Sequence, residues 1–399
     1  MNIALIAYGF TGSTLPLVKR FLEKGHSVSC FYIVNSGSNS LEALDFDTKY
    51  FFPGIYNLKS LVLEQYLNSK NCSASICVLI RKRKKFGNSF INTIIDRIDT
   101  RTIKKICVKV KNSHFDVVNI VGHMYPMDMI GGLLLKEKIK IVYSLHEIFL
   151  EHGSSSLELT TVTSFALKNK VPIIVHSMNS FHELKRFSKD IHDISIKLIH
   201  FGEFETYLLP FTFNSAKLNL HSYLLFFGSI QAYKGLSILY DAITILKEKG
   251  PLKFKIVVAG RGRDPVLEKM RESTDYILIN RYLGNGELVS LIKKCKAIVC
   301  PYLSASQSGI PQTALVFRKP VIAFNVGAFS EIIESEKNGL LVDVINAKEL
   351  AVAIEKMMCN DSFYEGLFLE DKAIHNSDVY DWEYICSQYE VYFKELIEE

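Results

Sequence analysis

"SYLLFFGSIQAYKGLSILYDAITILKEKGPLKFKIVVAG", residues 222–260, contains a strand pattern, a helix pattern and a second strand pattern in succession. The helix pattern over 236–249 is amphipathic and ends before Gly250, a residue type that favours helix termination. Strands that alternate with helices are typical of βαβ units, which build a mostly parallel sheet. The stretch therefore predicts one unit of a doubly wound α/β domain.

The same alternation continues on both sides of this stretch. Towards the C-terminus the strand patterns are "YILIN", "KAIVC" and "KPVIAFN", and towards the N-terminus they are "NIALIAY", "HSVSCFYIV", "DVVNIVG", "IKIVYSL" and "VPIIVHS". A helix pattern that begins at Leu15 follows the first of these. A chain of 399 residues is long enough for two cores. We therefore predict two doubly wound domains, 1–205 and 206–380, and a last helix, 381–399, that packs back on the N-terminal domain.

Composition predicts an ordinary globular protein, with 48% hydrophobic and 22% charged residues. The sequence has no apolar run long enough to span a membrane, and "MNIALIAYGF" is typical of a first strand rather than a signal peptide. The eight cysteines form no C-x-x-C motif and no zinc-ligand pattern. These features predict free thiols and a cytoplasmic location.

Residues 81–111 hold eleven Lys/Arg and two Asp, a local charge of +9, whereas the whole chain has +5 and the remainder therefore −4. Basic residues, including Arg81–Lys85, surround a set of apolar residues at helical spacing: Phe90, Ile91, Ile94, Ile95 and Ile98. The apolar face either packs on the N-terminal domain or rests on an anionic membrane surface. Because the basic surplus is local, we do not expect nucleic-acid binding.

Loops that follow strands are the candidate ligand sites, because ligands of open α/β sheets bind beyond the carboxyl ends of the strands. Gly228 ends one strand, and Lys234 precedes a helix, where an ammonium and the helix dipole would both favour a diphosphate. A second loop has a G-x-G motif at Gly260 with Arg261 and Arg263. Each feature alone is also compatible with an ordinary solvated turn.

"SASQSGIPQTALVFRKPVIA", residues 304–323, is a polar loop, a short helix and a strand without any Asp, Glu or His. Pro311 suits a first helical turn, so the turn at Ser308 and Gly309 would present backbone N–H groups to an anion. In the next loop, Glu331 opens a helix, which is also a common way to compensate the helix dipole.

Six segments in this order resemble the C-terminal half of retaining GT-B glycosyltransferases of glycosyltransferase family 4: "GSIQAYKG", "AGRG", "SQSGIPQTAL", "RKPVIA", "GAFSE" and "NGLLV". The resemblance covers about 222–360. It is looser in the N-terminal half, where "YSLHEIFLEHG" and "FDVVNIVGHMYP" resemble family segments and supply His146, Glu147, His152 and His123. It implies the GT-B fold, with two Rossmann-like domains facing a central cleft.

The resemblance also implies the roles of individual residues. His146 and Lys234 would be catalytic, although a single histidine is often only a hydrogen-bonded core residue. The donor would be bound by Gly228, Ser229, Lys234, Gly260, Arg261, Arg263, Gln307, Ser308, Gly309, Thr313 and Glu331.

Two departures from the family pattern bear on activity. Ser229 stands where the family has an arginine, and Ser306 and Ala314 stand where it has two glutamates with seven residues between them. The segment resembles a sub-branch that lacks this acidic pair. A non-catalytic GT-B subunit that binds a nucleotide or a partner transferase therefore stays an alternative. A sugar-nucleotide epimerase and a dehydrogenase fit less well, because acid clusters and a G-x-G-x-x-G motif are absent from the sequence.

The expected reaction moves a sugar from a nucleoside diphosphate sugar to a hydroxyl of a glycan or lipid-linked glycan with retention, in surface polysaccharide biosynthesis. Asp45 and Asp47 form a D-x-D motif, but it lies far in sequence from the candidate phosphate loops. We therefore expect metal-independent chemistry with no cofactor other than the donor substrate. The enzyme would be cytoplasmic, with peripheral attachment to the inner face of the cell membrane if the patch at 81–111 binds lipid.

Overall fold

The computed structural model describes residues 1–9, 11–37, 41, 51–58, 61–67, 71–80, 89–149, 159–187, 194–209, 220–305, 308–368 and 377–398. The chain divides into two compact units. Unit 1 contains Met1–Gly202 and Tyr380–Glu399, and unit 2 contains Glu203–Val379. The sequence places the domain boundary between 205 and 206, whereas the structure divides the chain between Gly202 and Glu203.

Unit 1 contains an eight-stranded sheet: β1 (Asn2–Tyr8), β2 (Ser27–Asn35), β3 (Gly54–Asn57), β4 (Cys72–Leu79), β5 (Val117–Val121), β6 (Ile141–Leu145), β7 (Ile173–Val175) and β8 (Ile196–Leu198). The strand order is β3-β4-β2-β1-β5-β6-β7-β8, and every pair is parallel except β3 with β4. Its helices are α1 (Thr11–Glu23), α2 (Leu61–Leu67), α3 (Ser89–Asn112), α4 (Met127–Lys136), α5 (Thr161–Lys168), α6 (Met178–Phe187) and α14 (Trp382–Glu398).

Helices cover both faces of this sheet. Successive residues of the central strand β1 point to opposite faces, so this strand contributes side chains to a core on each face. Ile3 and Leu5 pack in a core with α1 and α14, whereas Ala4 and Ile6 pack in a second core with α3, α4 and α5. This three-layer arrangement is that of a doubly wound domain.

Unit 2 contains a six-stranded parallel sheet: β9 (Leu224–Phe227), β10 (Ile256–Ala259), β11 (Tyr276–Ile279), β12 (Ala297–Cys300), β13 (Val321–Phe324) and β14 (Gly339–Val342). The order is β11-β10-β9-β12-β13-β14, the arrangement of a Rossmann fold. Its helices are α7 (Leu236–Glu248), α8 (Val266–Arg271), α9 (Asn285–Lys294), α10 (Ile310–Val316), α11 (Phe329–Ile332), α12 (Ala347–Cys359) and α13 (Asp361–Glu365).

The predicted α/β class with parallel sheets is confirmed, and each strand pattern named from the sequence contains a strand. Helix α1 differs, because it begins at Thr11 and contains Pro16 in its interior. The sequence pattern suggested a start at Leu15, since proline is usually tolerated in a first turn. Among the described helices, none is long and apolar enough to cross a membrane.

Helix α14 belongs to unit 1 and packs on its core through one face. The ring of Phe393 stacks on Phe21 of α1, with a centroid separation of 6.0 Å. At its last turn, Lys140 donates hydrogen bonds to the carbonyl oxygens of Leu396 and Ile397, at 3.0 and 2.6 Å. A cation at this position satisfies helix-end acceptors and favours the dipole.

Helix α3 confirms the helix that the sequence predicts in the basic segment. Its predicted apolar face is partly exposed. Ile91, Ile94 and Ile98 are exposed, by 42, 41 and 39%. These three side chains are therefore partly covered and partly accessible, and both interpretations of the apolar face stay predictions. Arg81–Lys85 lie outside the described residues.

Candidate functional site

The strand order of unit 2 reverses between β9 and β12, so the chain leaves these two adjacent strands towards opposite sides of the sheet. The carboxyl ends of strands at such a switch point are where open α/β sheets bind ligands. The loops at this edge are 228–235 after β9 and 301–309 after β12, and the loop 260–263 after the neighbouring β10 lies beside them.

Glycines allow the loops after β9, β10 and β12 to pack backbone against backbone. Gly235 has a φ of +70°, and a Cβ atom there would lie 1.8 Å from the carbonyl oxygen of Pro301. A Cβ atom on Gly260 would lie 1.7 Å from the carbonyl oxygen of Gly228. The backbone N–H of Leu303 also donates to a carbonyl of the first loop, at 2.8 Å. Substitution at either glycine requires the loops to separate.

Gly262, the second glycine of the G-x-G motif, also allows two loops to approach closely. A Cβ atom there would lie 1.9 Å from the carbonyl oxygen of Ile230. The side-chain amide of Asn280 accepts from the Gly262 N–H and donates to its carbonyl oxygen, both at 3.2 Å. The close approach permitted by this motif is therefore between loops of the protein.

Lys234 lies over an aromatic ring at the switch point. Its Nζ atom is 3.7 Å from the ring centroid of Tyr302, a cation–π geometry, and 4.9 Å from that of Tyr233. Burial raises the pKa of the Tyr302 phenol well above its usual range. Tyr302 thus contacts the ammonium of Lys234 from the loop after β12, the loop that also contains Ser308.

The residues at the start of α10 bond mainly to one another. Thr313 is 2% exposed, and its hydroxyl donates to the carbonyl oxygen of Gly309 at 2.8 Å. A Cβ atom on Gly309 would lie 2.4 Å from the ring of Phe204. The predicted donor-site residue Gln307, with Ser306, lies outside the described residues. The contacts of Thr313 and Gly309 are thus sufficient to explain both residues structurally.

The other predicted donor-site residues of unit 2 are accessible. Arg261 and Arg263 are exposed, and neither guanidinium forms an ion pair with a carboxylate in the described part of the chain. Gly228 and Ser229 are also exposed, and Glu331 is half-buried in α11.

Ala314, one of the two residues at which the sequence departs from the family pattern it resembles in this segment, is fully buried in the core of unit 2. Two residues earlier, Gln312 is 2% exposed, and its Oε1 atom accepts no hydrogen bond from any residue that the structure describes. The sequence did not single out Gln312, because a glutamine in a short helix is usually solvated.

In unit 1, three histidines follow consecutive strands at the carboxyl edge of the sheet: His123 after β5, His146 after β6 and His176 after β7. The ring centroids of His146 and His176 are 5.4 Å apart. Phe201, after β8, packs on both of them, with centroid distances of 4.3 and 3.8 Å. The sequence predicted a role for His146 but did not predict that these rings form one cluster.

Burial keeps the cluster uncharged. It lowers the pKa of His146 well below the usual range, and the neighbouring His176 and His123 lower it further. Burial also lowers the pKa of His123 to about 4 and that of His176 to about 3. His123 Nε2 lies 3.3 Å from an oxygen of the Glu147 carboxylate. His146 therefore sits as a neutral imidazole among aromatic rings.

The last groups at these sites are the Cys300 thiol and the side chains that could bind a metal ion. Burial raises the pKa of the Cys300 thiol, next to Tyr302, to about 12, so it stays protonated. No group of three or more His, Cys, Asp or Glu residues suited to a metal ion occurs within the described ranges. Asp45, Asp47 and His152 lie outside those ranges.

Comparison with known proteins assigns a class to this arrangement. Residues 221–360 match the family model described as glycosyl transferases group 1. The structure is similar to sucrose-phosphate synthase from Thermosynechococcus elongatus, with a TM-score of 0.69 and 15% identity over 100% of this chain and 99% of that one. The chain has the GT-B fold.

Two further similarities agree with this class. An uncharacterized glycosyltransferase of Methanocaldococcus jannaschii is 25% identical over 268 residues, which are 65% of this chain and 70% of that protein. Anabaena HepE, solved in complex with UDP and glucose, has a TM-score of 0.62 and 15% identity, covering 99% of this chain and 100% of HepE. The matches together support a GT-B glycosyltransferase, and the matched segment 221–360 contains Lys234, Tyr302 and Ser308.

Proposed function

We propose that this protein is a retaining, metal-independent glycosyltransferase of family 4 that moves a sugar from a nucleoside diphosphate sugar to a hydroxyl of a glycan or lipid-linked glycan. The observation that carries the proposal is the position of Lys234 over the ring of Tyr302 at the switch point of unit 2. An ammonium held beside a helix N-terminus is suited to a diphosphate. HepE, with the same fold, was solved with UDP and glucose, which supports a nucleotide donor.

In the proposed reaction, the bond between the sugar C1 atom and the diphosphate oxygen breaks, and a bond from C1 to the acceptor oxygen forms on the same face. The acceptor proton passes to the leaving phosphate, so the products are the glycoside and the nucleoside diphosphate. Lys234 stabilises the negative charge that grows on the leaving group. Because the leaving phosphate takes the proton, the reaction needs no carboxylate base.

We place His146 on the sugar and acceptor side of this reaction. Its depressed pKa makes it a neutral hydrogen-bonding group rather than a cation. Such a group suits the hydroxyls of a sugar, and the packing of Phe201 and His176 fixes its ring. The free thiols of all eight cysteines suit a reducing compartment, so we propose that the reaction occurs in the cytoplasm. A role in surface polysaccharide biosynthesis is part of the same proposal.

The proposal is tested by a panel of UDP-, GDP- and ADP-sugars, assayed for hydrolysis and transfer with EDTA present. Turnover of one donor in EDTA is expected. Lys234→Ala should weaken binding of the matching diphosphate by about 1.5–3 kcal/mol in calorimetry, because a charge-assisted contact is lost. Lys253→Ala, which removes an exposed lysine of the same unit, should leave the affinity unchanged. Equal affinities of the wild type and the Lys234 variant would contradict the assignment.

One observation favours a second candidate, a non-catalytic GT-B subunit that binds a nucleotide or a partner transferase. Ala314 is fully buried where the family has a glutamate, and Ser229 replaces the family arginine. If a nucleoside diphosphate binds and depends on Lys234 but no sugar nucleotide in the panel is turned over, this second function is supported instead.

A further inference from the structure

Helix α3 of unit 1 has a buried part and an exposed part. In its second half, Ile103, Ile106 and Val110 are buried in the core. Asp99 marks the transition, because its buried carboxylate accepts a hydrogen bond from the Ile80 N–H at 2.8 Å. Before this point, the helix has three isoleucines that are each about two fifths exposed.

The exposed apolar side chains form one stripe. Ile91, Ile94 and Ile98 have spacings of three and four residues, which place them on the same side of a helix. They are exposed by 42, 41 and 39%. Three isoleucines together at a surface are unusual for a soluble monomer, in which exposed apolar residues are mostly scattered.

A basic stripe runs beside the isoleucines on the same exposed surface. Arg97, Arg101 and Lys104 are exposed at spacings of four and three residues. They line an open groove with Thr93, Asp96 and Thr100. None of the three cations forms an ion pair within the described part of the chain, and Asp96 is the only exposed acid of α3.

An anionic lipid surface matches both stripes. The isoleucines would enter the boundary between headgroups and acyl chains, and the arginines and the lysine would reach the lipid phosphates. A second copy of the chain on this face would bring two sets of like charges together. A nucleic acid would use the cations but would leave the isoleucines exposed to water.

We propose that the Ile91–Ile94–Ile98 and Arg97–Arg101–Lys104 stripes of α3 form a docking surface for an anionic membrane. The helix lies in the plane of the membrane surface. This inference goes beyond the proposed glycosyl transfer and does not depend on it, since docking is measured without a substrate.

The experiment is sedimentation of the full chain with vesicles of mixed phosphatidylglycerol and phosphatidylcholine. We expect the wild type to pellet at low salt, to be released by high salt and to stay in solution with phosphatidylcholine alone. The triple variant Arg97→Ser, Arg101→Ser, Lys104→Ser should bind about 100-fold more weakly, from roughly a fivefold loss per charge. The triple variant Ile91→Ser, Ile94→Ser, Ile98→Ser should lose about tenfold or more, because its side chains no longer bury apolar area in the membrane.

Two matched control variants distinguish an effect of the α3 surface from an effect of total charge or of total exposed apolar area. Lys136→Ser, Lys168→Ser, Lys348→Ser removes three exposed cations elsewhere, and Val344→Ser, Ile345→Ser, Val352→Ser removes three exposed apolar side chains of unit 2. Both should pellet like the wild type, and all variants should melt at the wild-type temperature.

The proposal is overturned if the wild type does not pellet, or if the α3 variants and their controls pellet equally. If the wild type is a dimer in light scattering and does not bind vesicles, and the isoleucine variant is a monomer, a second copy of the chain covers this face. Binding of the wild type to RNA in place of vesicles, retained by the isoleucine variant, would assign the cations to nucleic acid.

Discussion

Gly235 is subject to two constraints that mutation can separate. Its φ is +70°, and a Cβ atom would collide with the Pro301 carbonyl oxygen at 1.8 Å. Gly25 has a similar φ of +82°, but a Cβ atom there would have no neighbour within 4 Å. We predict that Gly25→Ala lowers the free energy of unfolding by about 1–2 kcal/mol, the strain of a left-handed alanine. Gly235→Ala should cost at least about 2 kcal/mol more in calorimetry, because the loops must separate.

The same pair of variants reports on the site. Gly235→Ala should also weaken nucleoside diphosphate binding, because the shift moves Lys234 away from Tyr302. Gly25→Ala should bind as the wild type does. If the two substitutions cost the same, the contact between the loops after β9 and β12 is looser than the structure shows.

His146 is the residue for which a catalytic role and a packing role compete most closely. We predict that His146→Ala lowers kcat by ~100-fold or more, in the range of a lost group that acts on the reacting atoms, while diphosphate affinity stays within about twofold. The control is His182→Ala, on the exposed side of α6, which should change neither quantity. A parallel fall in affinity and turnover, together with a lower melting temperature, would make His146 a core residue that packs Phe201.

At the scale of elements, α14 gives the clearest prediction of stability. Phe393 is fully buried against Phe21, whereas Val391 on the same helix is 50% exposed. Phe393→Ala should lower the free energy of unfolding of unit 1 by about 3–5 kcal/mol, because it leaves a cavity between α14 and α1. Val391→Ala should cost about 0.5 kcal/mol or less. Urea unfolding followed by the fluorescence of Trp382, in unit 1, measures both.

Elements that are buried on both faces were predictable from the sequence. β9, β10, β12 and β13 are continuous apolar runs, and a strand of a parallel sheet covered by helices has this composition. β3 was not predicted, because its residues "GIYN", three half-buried and one exposed, carry no apolar period and depend on pairing with β4.

The candidate site was predictable only as separate loops. Lys234 and Ser308 are identified by local patterns, a Lys-Gly before a helix and a Ser-Gly turn. Tyr302, whose ring lies under the Lys234 ammonium, has no pattern of its own, since an aromatic residue after a buried strand is usually core. The histidine cluster was missed for the same reason, because His123, His146 and His176 converge through strand order rather than through spacing in the sequence.

At the scale of the whole molecule, the buried histidines predict a dependence of stability on pH. The pKa values of His123 and His176 are lowered to about 4 and about 3, while an unfolded histidine titrates near ~6.5. Between these values the unfolded chain binds more protons than the native one, so stability is present above pH ~6.5 and is lost as the pH falls. Each histidine should cost up to about 1.4 kcal/mol per pH unit over this window.

Calorimetry at a series of pH values should therefore show the transition of unit 1 moving to lower temperature as the pH falls through this window. His176→Gln should have a smaller slope than the wild type, and His182→Gln, with an exposed side chain, should keep the wild-type slope. An unchanged slope in the His176 variant would assign the acid sensitivity to other groups.

Because unit 1 consists of two segments of the chain and unit 2 of one, the two units become complete at different times during translation. Unit 2 is one continuous segment, so all of its residues leave the ribosome before α14 does. Unit 1 starts first, but Phe21 and its neighbours lack their partner until Phe393 has been made. Domains usually fold in the order in which they are translated. Here unit 1 is completed only after unit 2, and until α14 has been made the side chain of Phe21 lacks its stacking partner Phe393.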